Sequence, residues 1–338
     1  MPEPQTLDAI ASRRRFRRKI EGIAAALLPY EAEGKIAVEA FQQNLQATHQ
    51  AGLKNAVNMD TGYVNYLCRE EKLHVLRWTR EALGAGVTFV AGAYVEREEG
   101  DLVTLYRREM DSIVEAGGIP ILFQSARLHG VSSAEKAATY GKICRGYDQV
   151  LAFELGKMFA PNGEIFEAET FRRLMEIPEI KGMKHSSLNR QLELERLELR
   201  DLHRPEFRIY TGNDLGIDMV EYGSDYLLGL AAFAPEKFAA RDCFWETGNP
   251  EYFALNDALQ YLGNVAFREP VPAYKHSAAI FLKMVGRIPT DRTHPANPQR
   301  PAWEEEILRD CARRLGYNRD PFPHHLLRNV VSNENPPF

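Results

Sequence analysis

The chain has 338 residues, enough for one large domain or two small ones. Apolar residues make up 44% and charged residues 26%, the balance of an ordinary soluble globular protein, and a formal net charge of −5 argues against nucleic acid or an anionic membrane as the main partner. No stretch approaches the ~18 consecutive apolar residues of a membrane span, and the scattered Cys68, Cys144, Cys243 and Cys311 form no CxxC pair, so neither a zinc site nor a disulfide framework is signalled.

The chain opens on a basic run, Arg13-Arg14-Arg15-Phe16-Arg17-Arg18-Lys19. Its sharper reading is a nucleic-acid or anion contact; its plainer reading, preferred here, is a solvated N-terminal helix leading into the first strand. It lacks the apolar stretch and small-residue cleavage site of a signal peptide, and a reduced, cytoplasmic protein is expected.

Short apolar runs then alternate with amphipathic segments. Glu21–Leu28 reads as a strand and Ala37–Gln50 as a helix ending at Gly52. Leu53–Met59 is a strand and Arg69–Leu83 a helix ended by Gly84. Thr88–Val95 is a strand and Leu102–Ala116 a helix stopped by Gly117-Gly118. Ile119–Gln124 is a strand and Ser133–Cys144 a helix opened by Ser132. Gln149–Leu155 is a strand and Ala168–Met175 a short helix ended before Pro178. Ile180–Ser186 is a strand, followed by the charged helix Arg190–Leu202. Phe207–Thr211 is a strand and Leu215–Tyr222 a helix stopped by Gly223. Tyr226–Ala232 is a strand, and Pro235–Thr247 a helix with proline in its first turn, a favoured place.

This strict alternation predicts parallel strands, and its eight units, within the ~250 residues usual for such a fold, predict closure into a (β/α)₈ TIM barrel over residues 20–248. An open doubly wound sheet is the alternative, but Leu27-Leu28-Pro29-Tyr30 is not the Gly-rich phosphate turn it would usually carry. Three further helices, Tyr252–Ala266, Tyr274–Val285 and Trp303–Leu315, make a C-terminal extension over residues 249–316. Residues 1–19 stand apart as a basic segment, and residues 317–338, rich in Pro, Asn, His and Arg, read as an extended tail.

Active sites of such barrels lie at the C-terminal ends of the strands. There stand Asp60, Thr61, Gly62 and Tyr63 after strand two, and Arg127 and His129 after strand four. Phe153 and Glu154 end strand five, Lys184 and His185 end strand six, and Asn213 and Asp214 follow strand seven. Lys184 leads. Period-two alternation puts residues 180, 182 and 184 on one face, in the order Ile, Gly, Lys from core to rim, while Lys181 faces the helices. A lysine desolvated there can lose its proton and attack carbonyl substrates. The plainer account is a strand-end lysine that snorkels to water.

Asp60 and Asp214 fit acid–base or metal roles, or the capping of the helices that follow them. The turn Asp60-Thr61-Gly62 presents backbone N–H groups. Glu154, between apolar neighbours, needs a partner, for which a salt bridge suffices. His129 fits a surface loop, and His185 alternates away from Lys184. Asp60, Glu154, His185 and Asp214 are also residue types that bind divalent ions, though their spacing is no known ligand signature.

The order of these motifs resembles the dihydrodipicolinate synthase / N-acetylneuraminate lyase family of class I aldolases, from about Gly22 to Gly316. Pro178-Glu179-Ile180-Lys181-Gly182-Met183-Lys184-His185-Ser186-Ser187 resembles the family segment that carries the Schiff-base lysine. Tyr210-Thr211-Gly212-Asn213-Asp214 resembles its Gly-x-Asp turn, and Gly223 to Pro235, which includes Leu228, its strand-eight segment. Leu67-Cys68-Arg69-Glu70-Glu71 and Pro270-Val271-Pro272-Ala273-Tyr274-Lys275 resemble two of its helix starts. The resemblance implies imine chemistry at Lys184 on a small carbonyl compound, with no cofactor and no metal, in a homo-oligomer, dimer or tetramer.

The departures shape the expectation. The family's Gly-Thr-Thr-Gly-Glu turn reads Met59-Asp60-Thr61-Gly62-Tyr63 here, and Asp60 would repel a substrate carboxylate. Phe153 replaces the family's proton-relaying tyrosine, and the tyrosine pair after strand four is missing.

A Schiff-base lyase is therefore expected, an aldolase or dehydratase acting on a 2-oxo acid or keto-sugar from carbohydrate metabolism. Lys184 would be its nucleophile, Asp60, Glu154 and His129 would share acid–base and orienting roles, and Thr61, Gly62, Tyr63, Phe153, Asn213, Asp214 and Leu228 would contact substrate. Asp60 and Glu154 suit a hydroxyl-rich, less anionic compound. The rivals are a metal-assisted sugar isomerase or epimerase using Asp60, Glu154 and Asp214, and a non-catalytic metabolite-binding barrel.

Overall fold

The computed structural model describes residues 6–317. Eight strands form one closed, all-parallel barrel in sequence order. They are β1 Gly22–Ala25, β2 Lys54–Val57, β3 Phe89–Ala93, β4 Gly118–Leu122, β5 Val150–Leu155, β6 Ile180–Ser186, β7 Arg208–Thr211 and β8 Asp225–Leu228. Pairing of Ile23 with Leu227 closes the ring between β1 and β8. The helices of the barrel are α2 Val38–Gln50, α3 Arg69–Leu83, α4 Leu102–Glu115, α5 Ser133–Cys144, α6 Ala168–Met175, α7 Arg190–His203 and α8 Pro235–Thr247. A short α1, Leu7–Ala11, precedes the barrel, and α9 Glu251–Ala266, α10 Tyr274–Met284 and α11 Glu304–Arg314 follow it. The TIM barrel and its C-terminal helices are thus as the alternation predicted.

Local chemistry explains the helix starts. Asp101 caps α4 by accepting from the Thr104 amide, and Asn189 caps α7 by accepting from the Gln191 and Leu192 amides. Ser132 and Glu135 form a reciprocal capping box at α5.

Four sequence expectations need correction. The basic run is not a helix: only Leu7–Ala11 is helical, and residues 13–19 run irregularly across the N-terminal end of the barrel. Most of the run is solvated, as expected, but acids at that end pair with it. Arg14 pairs with Glu221 at 3.0 Å, Arg15 with Asp201 at 2.6 Å and Arg18 with Asp225 at 2.9 Å. Phe16 stacks on Trp245, whose indole N–H donates to the Arg15 carbonyl.

Leu215–Tyr222 is not an α-helix but a 3₁₀ helix over Ile217–Tyr222. Strand eight ends at Leu228, and Leu230–Ala232 turns as a 3₁₀ segment. Finally, strict alternation fails at the start of β6. The register shifts between Val150 and Leu151, so Ile180 packs in the outer shell while Gly182 and Lys184 face the lumen. The expected tail lies outside the described residues beyond Tyr317.

Two apolar clusters follow from closure. The inner one fills the lumen with residues such as Ile23, Val90, Ile121, Phe153, Tyr210 and Leu227; the outer one joins barrel to helices. No helix among the described residues is long and apolar enough to cross a membrane.

Arg18 also donates to the Ser224 carbonyl, and Asp225 accepts from the Glu21 amide, so one ion pair ties the basic segment to both β1 and β8. Arg18→Ala leaves a buried carboxylate short of a donor and is expected to lower unfolding stability by about 2 kcal/mol. A denaturant midpoint equal to wild type would show that the basic segment contributes nothing to closure.

Candidate active site

The site is built at the C-terminal ends of β2, β5, β6, β7 and β8. Parallel register sets which side chains share the lumen: Phe153 on β5 pairs with Lys184 on β6, which pairs with Tyr210 on β7. Lys184 is buried, and its Nζ lies 4.5 Å from the centre of the Phe153 ring. Phe153 packs edge-on against Phe123, and Phe123 against Tyr94, forming an aromatic wall.

Room for Lys184 comes from a glycine. A Cβ at Gly212 would lie 2.0 Å from Ser186 Oγ and 2.7 Å from Lys184 Cε, so any side chain there would displace both. Ser186 shares the inward face with Lys184, and its buried hydroxyl has no hydrogen-bonding partner among the described residues. Burial pushes the Lys184 amine down to about 8, against the opposing pull of the Asp214 and Asp60 carboxylates.

Asp214 is buried too, and its Oδ1 accepts from the Leu230 amide at 2.8 Å. Burial pushes its carboxyl up to about 7, against the Leu230 hydrogen bond and the Lys184 charge. The local turn is completed by Asn213, whose Oδ1 accepts from the Leu215 amide at 3.2 Å. Asp214 is therefore free of helix capping and bridges β7 to the turn after β8.

Asp60 opens a 3₁₀ turn, Asp60–Gly62, at the end of β2. It does not cap that turn. Its Oδ2 accepts from Tyr274 Oη at 2.9 Å, and Lys275 Nζ lies 3.1 and 3.2 Å from its two oxygens. Thr61 Oγ1 lies 2.8 Å from the same Tyr274 hydroxyl. The first turn of α10 thus clasps the end of β2. The expected repulsion of a substrate carboxylate by Asp60 is corrected by this ion pair, since Lys275 offsets the charge at contact distance.

Above this clasp opens a cavity of about 410 Å³, lined by Asp60, Tyr66, Tyr94, Arg97, Asn162 and Lys275 among others. Arg97 donates to the Asn65 carbonyl and forms no ion pair among the described residues.

Several expected site residues stand elsewhere. Glu154 neighbours Phe153 and so faces the outer shell, not the lumen. It accepts from His185 Nδ1 at 2.5 Å, from Arg196 Nε at 2.8 Å and from the Phe166 amide at 2.8 Å. Although burial would raise its pKa, His185 and Arg196 hold it down at about 2. Glu154 is thus the anchor of α7 on β5 and β6, as the salt-bridge account required. Leu228 likewise packs outward, because its neighbour Leu227 takes the lumen position. Tyr63 turns away toward Tyr30 and His294 from a left-handed backbone position with φ of 60°. Gly62 packs close to β1, where an added Cβ would lie 3.3 Å from the Ala26 carbonyl oxygen. His129 is half-buried at the rim, bonded to the Asn162 carbonyl.

With Glu154 and His185 outside the barrel and Asp60 and Asp214 at the lumen, the four expected metal-ligand types do not converge. No group of three such residues is placed to hold an ion among the described residues. Sequence reasoning missed Ser186, Tyr94 and the roles of Tyr274 and Lys275. Parity with Lys184 was the available signal for Ser186. Tyr274 and Lys275 reach the site only through the docking of α10, which no local pattern encodes.

A closed parallel barrel with C-terminal helices, and a buried lysine near the end of its sixth strand, defines a TIM barrel with the fold of the dihydrodipicolinate synthases. Solved structures share it: that of a dihydrodipicolinate synthase from Thermotoga maritima has a TM-score of 0.75 and 15% identity, covering 89% of this chain and 100% of that one. A chloride-inhibited dihydrodipicolinate synthase from Acinetobacter baumannii, complexed with pyruvate, gives 0.72 and 17%, covering 89% and 100%. YagE, a prophage protein of the dihydrodipicolinic acid synthase family from E. coli K12, also in complex with pyruvate, gives 0.75 and 14%, covering 88% and 99%. At these identities the likeness is one of fold. No curated protein matches the sequence. The family described as "Protein of unknown function (DUF993)" matches residues 24–287, and the chain belongs to that family.

Three outcomes test this geometry. Glu154→Gln leaves Arg196 buried without its counter-charge and is expected to cost about 3–5 kcal/mol in unfolding stability, while the reactivity of Lys184 per folded molecule is unchanged; a loss of that reactivity would return Glu154 to the site. The Lys184 amine is reactive only when neutral, so its acylation by a neutral reagent should reach half-maximum near pH 8, against ~10.4 for an exposed lysine. Asp214→Asn removes a charge that favours the ammonium and should move that midpoint lower. Mass spectrometry of the labelled peptide reads both, and a midpoint near that of exposed lysines would refute the desolvated amine.

Proposed function

We propose that the chain is a Schiff-base lyase, an aldolase or dehydratase, acting on a small 2-oxo acid or keto-sugar. The observation that carries this reading is the lumen-facing Lys184, buried against Phe153 with its amine pushed down to about 8. The neutral nitrogen lone pair attacks the substrate carbonyl carbon, and the carbonyl π pair moves to oxygen. A proton shifts from nitrogen to oxygen, giving a carbinolamine. The C–O bond then breaks, the oxygen leaves as water with the proton of the Asp214 carboxyl, and the nitrogen pair closes the C=N bond. The protonated imine draws electrons from the neighbouring carbon and so eases loss of a proton, a hydroxyl group or a carbon fragment.

Asp214, pushed up to about 7, supplies the acid near neutral pH. Thr61 is a substrate contact, and Phe153 and Asn213 shape the lumen. The less anionic substrate loses both of its supports, because Asp60 is paired with Lys275 and Glu154 lies outside the lumen. Arg97 at the mouth and the pyruvate held by two proteins of the same fold favour a 2-oxo acid over a neutral keto-sugar.

Reductive trapping tests the proposal. Borohydride treatment with pyruvate or a longer 2-oxo acid is expected to fix the substrate on Lys184, with Lys184→Met abolishing the adduct. Trapping should be fastest between about pH 7 and 8, where a neutral Lys184 and a protonated Asp214 coexist in the largest fraction. No adduct with any oxo acid or keto-sugar, or one that survives Lys184→Met, would sink the reading.

A further inference from the structure

An imine at Lys184 makes the adjacent C–H acidic, and a group must then take that proton. In the lumen the Asp214 carboxylate left by the departing water is the counter-charge of the protonated imine, Phe123 and Phe153 carry no polar atom, Tyr210 reaches Glu21 at the opposite end of the barrel, and neither the Tyr94 nor the Ser186 hydroxyl has a partner among the described residues to receive its own proton. One phenol beside the lumen has such a partner. Tyr274, the first residue of α10, is buried, and its ring stacks on Phe267 with centroids 4.3 Å apart. It rests against the end of β8: a Cβ at Gly229 would lie 3.1 Å from Tyr274 Cε2 and 3.2 Å from Thr61 Oγ1.

Tyr274 Oη donates to Asp60 Oδ2 at 2.9 Å, so its 2.8 Å contact with Thr61 is one in which the threonine hydroxyl donates. The chain Thr61–Tyr274–Asp60 therefore runs from the end of β8, beside Gly229, to the mouth cavity that Asp60 and Lys275 line. Gly229 adjoins Leu230, whose amide donates to Asp214 Oδ1, so the phenol and the Asp214 carboxyl flank the same turn after β8.

We propose that Tyr274 and Asp60 form the acid–base pair that moves the substrate α-proton, passing it between the lumen and the mouth of the barrel. The proposal rests on the Schiff-base reading of Lys184. In the step, the C–H pair becomes the C=C bond of an enamine, and the iminium π pair returns to the Lys184 nitrogen. The proton goes to the Tyr274 oxygen while the phenol's own proton passes to Asp60 Oδ2, so no free phenolate forms. The Thr61 hydroxyl steadies the oxygen during the exchange. Lys275, bonded to both Asp60 oxygens, holds that group in place, and the open cavity beside it lets the proton leave to water. The reverse sequence returns a proton to the enamine carbon.

The test uses the full chain with pyruvate as probe and two readouts. Borohydride-trapped adduct on Lys184 reports the imine, and replacement of methyl hydrogens by deuterium in heavy water, followed by NMR, reports the α-proton step. Wild type is expected to show both. Tyr274→Phe should keep the trapped adduct and lose methyl exchange by ~100-fold or more. Asp60→Asn keeps a hydrogen-bond acceptor for Tyr274 and should show the same split, which maintains the test if Tyr274→Phe fails to fold. A merely structural role would lower adduct and exchange together, and that result overturns the proposal. Exchange at the wild-type rate in either folded variant also overturns it, as does a wild type that forms adduct without exchange; both leave the imine standing. A wild type that forms no adduct overturns the Schiff-base reading and this proposal with it.

Discussion

Closure of the parallel ladder between β1 and β8 governs everything else in this molecule. Once the ring is shut, every second side chain of eight strands must share one narrow lumen, and water is excluded from it. Most of those positions are apolar, as the inner cluster shows. Lys184 is the long amine admitted on β6, and glycine at 212 is the concession that makes space for it. Desolvation then does what no local sequence feature does: it brings the amine down to about 8 and raises the neighbouring Asp214 to about 7. The two groups are drawn toward each other in pKa because they share the same dry enclosure.

The outer shell solves a different problem with the same materials. Glu154 and His185 sit on strands next to Phe153 and Lys184, yet their side chains leave the barrel. There a single carboxylate gathers His185, Arg196 and the Phe166 amide, so that a charge buried in the outer shell is fully partnered. One residue of parity separates a group that can do chemistry from one that fastens a helix. The basic segment at the opposite end of the barrel is a third use of charge, with Arg14 matched to Glu221 before β8, Arg15 to Asp201 on α7 and Arg18 to Asp225 on β8.

The clasp between Asp60 and α10 joins the C-terminal helices to the rim of the active face. It neutralises the negative charge that sets this turn apart from the Gly-Thr-Thr-Gly-Glu turn that the sequence otherwise resembles. It also brings a buried phenol to Thr61 from a helix far along the chain. A lumen wall with Phe153 where the resembled family has a tyrosine is thereby accompanied by a rebuilt rim. That pattern agrees with a chain that keeps the fold of the dihydrodipicolinate synthases at 14–18% identity while belonging to a family of its own.

Much of this was legible in the sequence. Alternating strand and helix patterns dictated the eightfold barrel, because hydrophobic period and chain direction are local properties. Parity on β6 aimed Lys184 inward and His185 outward, because side-chain alternation is a property of the strand alone. The same parity would have sent Glu154 and Leu228 outward and brought in Ser186, had it been applied to every strand end. Other outcomes were closed to sequence reasoning. The bulge that turns Ile180 outward depends on the register of β5 against β6. The pairing of Asp60 with Lys275, and the approach of Tyr274 to Thr61, join residues more than two hundred positions apart. Sequence by itself determined the architecture and the identity of the candidate nucleophile, because both follow from short-range periodicity. Only the tertiary structure decided which charges are neutralised, which amine is dry and which phenol stands beside the lumen, because burial and pairing arise from contacts between distant segments.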